Sequence, residues 1–150
     1  MKKILLLFVC LFVCWVLSAQ QRIKVACVGN SITYGTGLSD RATQSYPVKL
    51  QKLLGERYEV ENFGKPGATL LNQGHRPYTR QEEYRKALDF AGDIVVIHLG
   101  INDTDPRDWP NYRDSFVTDY LNLMDTFRKA NPDVRIIIAR MTPIADRHNR

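Results

Sequence analysis

The sequence predicts an α/β fold: a doubly wound parallel sheet with helices on both faces. Four apolar runs of strand length, each bounded by turn residues, alternate with three stretches of helical period. One of those runs, Ile94 to Leu99, is nearly all apolar, as a strand covered on both faces by helices requires. At 150 residues, 44% hydrophobic and 25% charged, the chain can bury the core of one domain. No repeat, low-complexity tract or internal linker is visible.

The elements follow in order. Lys2 and Lys3 precede an uninterrupted apolar run from Ile4 to Leu17, and Ser18-Ala19 offers a small-residue exit before Gln20. That is the pattern of a cleavable secretory signal peptide over residues 1–19. Its 14 apolar residues fall short of the about 20 that a membrane span needs, an uncleaved amino-terminal anchor being the alternative. Neither Cys10 nor Cys14 follows the small residues that precede a lipidated cysteine. Ile23 to Val28 is the first strand. Ser45 can cap a helix with Tyr46, Leu50, Leu53 and Leu54 facing inward, Pro47 in its first turn and Gly55 closing it. Tyr58 to Phe63 alternates as the second strand. Tyr84, Ala87, Leu88 and Ala91 mark the next helix, and Ile94 to Leu99 is the third strand. Phe116, Tyr120, Leu123 and Phe127 form a long amphipathic helix that stops at Asn131-Pro132. Val134 to Ala139 is the fourth strand.

Composition narrows the partners. The formal charge of +5 falls to +3 without Lys2 and Lys3, and the remaining basic residues are scattered among acids, so no nucleic-acid surface is expected. Loss of the leader would remove two of three cysteines and leave Cys27 alone in the first strand, a small core residue without a disulfide partner. No cluster of His, Cys or carboxylates has metal-ligand spacing, so neither metal nor other cofactor is expected.

In a doubly wound sheet all strand carboxyl ends share one edge, where ligands bind. Three of those ends are unusual: Gly29-Asn30-Ser31, then Asn62 to Gly67, then Gly100-Ile101-Asn102-Asp103. Ser31, Gly67 and Asn102 are separated by 36 and 35 residues, the length of one strand-helix-strand unit. Singly, each has an ordinary reading as a turn, a helix cap or a loop cap. Together they offer a hydroxyl, an amide free of side-chain crowding and a carboxamide. A serine nucleophile needs a base for its proton and donors for the oxyanion that develops on the attacked carbonyl. Gly67 and Asn102 suit the second task, with the N–H of Ser31 as a third donor. Asn30, Asp103 and Trp109 are candidate substrate-binding residues.

These segments resemble the SGNH hydrolase superfamily, the GDSL esterases and lipases. "VGNSITYG" is similar to its first block with Ser31 as nucleophile, "NFGKPGAT" to its second with the oxyanion glycine Gly67, and "HLGINDTDP" to its third with the oxyanion carboxamide Asn102. The match runs from about Ile23 to Pro143. It implies a flavodoxin-like three-layer sandwich, the SGNH hydrolase fold, and a serine esterase without cofactor. The usual Gly-Asp-Ser is Gly-Asn-Ser here, a neutral isostere that should alter hydrogen bonding more than chemistry.

The resemblance also implies an Asp-x-x-His block after a fifth strand, and no such block precedes Arg150. His75 follows the second block, His98 lies within the third strand, and His148 comes too early, with Asp146 at the wrong spacing. Each reads as structural. The expectation is therefore a chain truncated before its catalytic Asp and His, lacking its last strand and helix, with an exposed apolar fourth strand (Ile136, Ile137, Ile138) and little activity of its own. "NDTDPRDWPNY" and "HRPYTRQEEY" resemble secreted bacterial acetylesterases acting on sialic acids or plant-wall sugars. His75, Arg76, Tyr78, Arg80, Asp105, Arg107 and Trp109 would form a polar, aromatic rim that suits a small-molecule or glycan ester better than a lipid. Three alternatives remain: a lipid-directed lipase, a glycan-binding module without catalysis, and a flavodoxin-like nucleotide domain, the last lacking any G-x-G-x-x-G after the first strand.

Overall fold

The four apolar runs pair as one parallel sheet in a computed structural model that describes residues 21–141. The leader expected over residues 1–19, and Pro143, Asp146 and His148, lie outside the described residues. Strands β1 (Ile23–Gly29), β2 (Tyr58–Gly64), β3 (Ile94–His98) and β4 (Arg135–Ile138) stand in the order β2-β1-β3-β4. The helices are α1 (Ser31–Tyr34), α2 (Arg41–Gln44), α3 (Tyr46–Leu54), α4 (Glu82–Phe90), α5 (Trp109–Tyr112) and α6 (Phe116–Ala130). Among the described residues no helix is long and apolar enough to cross a membrane.

Side-chain alternation divides the sheet into two faces. Ala26 and Val28 of β1 register with Val95 and Ile97 of β3. All four are fully buried, in one core with Ala87 of α4 and with Leu123 and Phe127 of α6. Burying each large apolar side chain of this kind contributes about 1.5–3 kcal/mol. Cys27 points the other way, toward Tyr46 of α3. Burial pushes its thiol up to about 11, the Tyr46 hydroxyl pulling it partly back, so Cys27 carries no thiolate at neutral pH.

Two details of α3 correct the sequence expectation. Leu53 is 84% exposed, because the inward stripe runs through Pro47, Leu50, Gln51 and Leu54 and leaves Leu53 about 100° to one side. Gln51 takes an inward place by using its amide: Oε1 accepts Val60 N–H at 2.8 Å and Nε2 donates to Tyr58 O at 3.1 Å. Ser45 occupies the cap position, yet its buried hydroxyl makes no capping bond. The preceding turn is instead capped at Asp40, which accepts Ala42 N–H at 3.0 Å and starts α2.

β2 and β4 are the outer strands. Ile136 packs toward the core, whereas Ile137 and Ile138 are 43% and 51% exposed, as expected of an apolar strand whose outer side has no partner strand among the described residues.

Candidate active site

Close backbone approach positions Ser31. β1 ends at Gly29 and turns directly into α1, where Asn30 Oδ1 accepts the Ile32 N–H at 3.0 Å. The last turn of α1 lies on Gly64 of β2, where a Cβ would come within 2.7 Å of Thr33 C and Tyr34 Cα. Only glycine leaves that space. Asn62 fastens the contact, its Nδ2 donating to Thr33 O at 2.8 Å while its Oδ1 accepts Gly64 N–H at 2.9 Å. Ser31 is half-buried at the helix start, where its N–H has no intrahelical partner, and among the described residues its hydroxyl makes no hydrogen bond.

The sheet register brings the other two residues alongside. Gly29 is level with Gly64 on β2 and with His98 on β3. Ser31, Gly67 and Asn102 therefore lie two, three and four residues beyond one line across three adjacent strands. Gly67 has φ +76°, a left-handed conformation that favours glycine, and its N–H makes no hydrogen bond among the described residues. Asn102 Nδ2 donates to Ala68 O at 2.8 Å, which holds the carboxamide one residue from Gly67 and leaves its second N–H hydrogen free. The guanidinium of Arg76 lies over the same turn, with Nη1 donating to Pro66 O at 2.9 Å.

Carboxylates hold the loop after Gly67. Asp103, fully buried, accepts Leu70 N–H at 2.9 Å and Leu71 N–H at 2.7 Å. Burial pushes its carboxyl above the usual carboxylate range, the two N–H groups drawing it back and the Asp108 charge adding to the rise. Asp119 of α6 accepts both Asn72 N–H at 2.9 Å and Asn72 Nδ2 at 2.8 Å. Asp108, 2% exposed, accepts His75 N–H at 2.9 Å and lies 2.6 Å from His75 Nδ1. Replacing Asp103 by alanine strands two buried N–H groups, each worth about 1–3 kcal/mol when left unpaired. The relief of burying a charge offsets part of that, so a net loss of about 2–3 kcal/mol is expected. Urea unfolding measures it, and a loss under about 0.5 kcal/mol would mean that Asp103 does not hold this loop.

Several expected site residues are placed differently. Asn30 is 1% exposed, its Oδ1 committed to the helix cap and its Nδ2 without a partner among the described residues, so it is not available to a substrate. Asp103 is likewise withdrawn, because both carboxylate oxygens face backbone donors. Tyr78 is not at the rim: it is fully buried, with its hydroxyl donating to Phe63 O at 2.7 Å. Its ring is apolar enough to fill the core once that hydroxyl is satisfied. Arg107 is engaged with Asp105 through Nε and Nη2, both at 2.8 Å, and holds that carboxyl well below the usual range. Trp109 is 40% exposed, with its ring edge-on to Phe116 at 5.6 Å. His98 is buried in β3. His75, read from sequence as a lone histidine, has a carboxylate partner in Asp108. Among the described residues no group of three or more His, Cys, Asp and Glu is placed to hold a metal ion.

The four-stranded parallel sheet with its helices has the α/β architecture of the SGNH-hydrolase fold. The chain belongs to the GDSL-like lipase/acylhydrolase family, whose model matches residues 27–150. It is 43% identical over 109 residues to an acetylxylan esterase from Xylanibacter ruminicola, covering 73% of this chain and 22% of that protein. The chain thus spans about a fifth of that relative's length. Among solved structures it resembles AlinE4, an SGNH-hydrolase family esterase, with TM-score 0.53 and 19% identity over 79% of this chain and 58% of that one. A family two carbohydrate esterase from Cellvibrio japonicus gives TM-score 0.57 and 18% identity over 85% and 44% of the two chains. Likeness at those identities concerns the fold.

Proposed function

We propose that the chain belongs to a secreted serine esterase that removes O-acetyl groups from carbohydrate. The observation that carries this reading is the bond from Asn102 Nδ2 to Ala68 O, which sets a carboxamide beside the unpaired amide of Gly67 at the edge where Ser31 emerges. Family membership supports ester hydrolysis, and the acetylxylan esterase relative supports an acetylated plant-wall sugar as substrate. The basic and apolar leader at residues 1–19 supports export.

In this mechanism Ser31 Oγ attacks the acetyl carbonyl and forms the new C–O bond while its proton passes to a histidine. The resemblance to the family implies that this base and its aspartate come from an Asp-x-x-His block. The N–H groups of Ser31 and Gly67 and the free hydrogen of Asn102 Nδ2 receive the tetrahedral oxyanion, and the sugar oxygen leaves with the proton from the histidine. Water then attacks the acetyl-serine, releasing acetate and restoring the hydroxyl. The full-length protein should release acetate from acetylated xylan at least tenfold faster, by kcat/KM, than it releases palmitate from a palmitoyl ester of the same alcohol type. A preference for the long acyl chain would favour a lipase and overturn the carbohydrate assignment.

A further inference from the structure

We infer that His75, oriented by Asp108, is a hydrogen-bond acceptor for a hydroxyl of the sugar that carries the acetyl group, and so a specificity-determining residue; this rests on the esterase reading above. The starting point is the buried carboxylate. Asp108 directs one oxygen to the backbone N–H of His75 and the other to Nδ1 of the same residue, at 2.9 and 2.6 Å. A carboxylate only accepts, so Nδ1 carries the hydrogen, and in the neutral form of the ring the lone pair lies on Nε2. Two bonds to one residue fix the backbone and the ring orientation together. The imidazole side chain is 27% exposed while its partner is 2% exposed, so the pair has a fixed inner end and an open outer one. Among the described residues Nε2 makes no hydrogen bond.

The chain neighbours of the pair reach the proposed oxyanion glycine on one side and a partly exposed aromatic ring on the other. Arg76, next in the chain, is bound to Pro66 O, and its Nη1 lies 3.2 Å from where a Cβ on Gly67 would be. On the partner side, Trp109 follows Asp108 and leaves its indole 40% exposed. The locked pair is thus flanked in the chain by the Arg76 guanidinium and the Trp109 ring. A pyranose offers the matching groups: hydroxyls that donate and accept, and a C–H face that packs on an aromatic ring.

A hydrogen bond acting only as a loop clamp makes a different prediction from one that also recognises sugar. Asparagine at this position can keep the Nδ1-type donor toward Asp108 but has nothing at the place of Nε2, whereas alanine loses both. Binding of an acetylated xylo-oligosaccharide is measured calorimetrically on the full-length chain carrying Ser31→Ala, so that no turnover intervenes. His75→Ala and His75→Asn should each weaken binding about five- to tenfold, the worth of one hydrogen bond. Wild-type affinity in His75→Asn, or in both variants, would overturn the inference by reducing the pair to a clamp. Absence of oligosaccharide binding to the Ser31→Ala parent would overturn it as well. A 15N spectrum of the parent covers the case of a variant that does not fold: the His75 Nε2 resonance should shift on saturation with the oligosaccharide, and an unmoved resonance contradicts the assignment. Loss of the esterase reading would appear separately, as acetate release that persists in the Ser31→Ala parent.

Discussion

Ser31→Ala in the full-length protein should abolish acetate release from a small aryl acetate, lowering kcat by several orders of magnitude, to the roughly 10³–10⁴-fold acceleration over water that donors and binding alone sustain. The size of the effect follows from the division of labour at the sheet edge. Oxyanion donors act only once a nucleophile has attacked. Ser31 is half-buried, and the contacts that place α1 involve Gly64 and Asn62 rather than its own hydroxyl. Removing Oγ should therefore leave the fold intact, and a melting temperature close to that of the parent accompanies the lost rate. Undiminished turnover would remove Ser31 from the reaction.

Asn102→Ala is the second large effect. A lost oxyanion donor costs about 10²–10³ in kcat, roughly 2.7–4 kcal/mol of barrier, with KM little changed because the donor acts in the transition state. Here the substitution also removes the partner of Ala68 O, on a residue with no exposed surface. Part of the loss would then come through a shifted Gly67. Asn102→Asp separates the contributions in direction: it supplies oxygen where both the oxyanion and Ala68 O require a hydrogen, so it should be at least as damaging as alanine. An aspartate variant with near-parental kcat would mean that the carboxamide does not face the oxyanion.

Much of the fold could be read from periodicity because the elements that matter are simple. β1 and β3 are largely apolar runs, β1 buried on both faces from Val25 onward and β3 buried on the face of Val95 and Ile97, and their observed bounds differ from the expected ones by a single residue at Gly29 and at Leu99. The three strand ends were likewise visible, since spacings of 36 and 35 residues are those of one crossover. Polar residues that turn inward were not. Asn30, Asp103 and Tyr78 looked available because composition assigns such groups to the surface, whereas each satisfies backbone groups that a tight loop would otherwise bury unpaired. The partnership of His75 with Asp108 was hidden for a related reason: it joins residues 33 apart, across two loops with no periodic pattern. The signal lay in that number. The same crossover length that brings Asn102 to Gly67 also brings Asp103 to Leu70 and Asp108 to His75, so pairs offset by 32 to 35 residues between these two loops were candidates from the outset. Leu53 failed differently, its hydrophobicity being overridden by Gln51, an inward amide that ties the helix to β2.

The central claim is that Ser31, Gly67 and Asn102 surround one point able to hold a tetrahedral oxyanion. An aryl fluorophosphonate tests it directly, because Ser31 Oγ displaces its fluoride to leave a stable tetrahedral phosphorus on the nucleophile, whose phosphoryl oxygen takes the place of the oxyanion. Peptide mapping by mass spectrometry after exposure of the full-length protein should find a single adduct on Ser31, formed at least tenfold more slowly in the Asn102→Ala variant. An adduct on another serine, or labelling of Ser31 at the same rate in that variant, would contradict the claim.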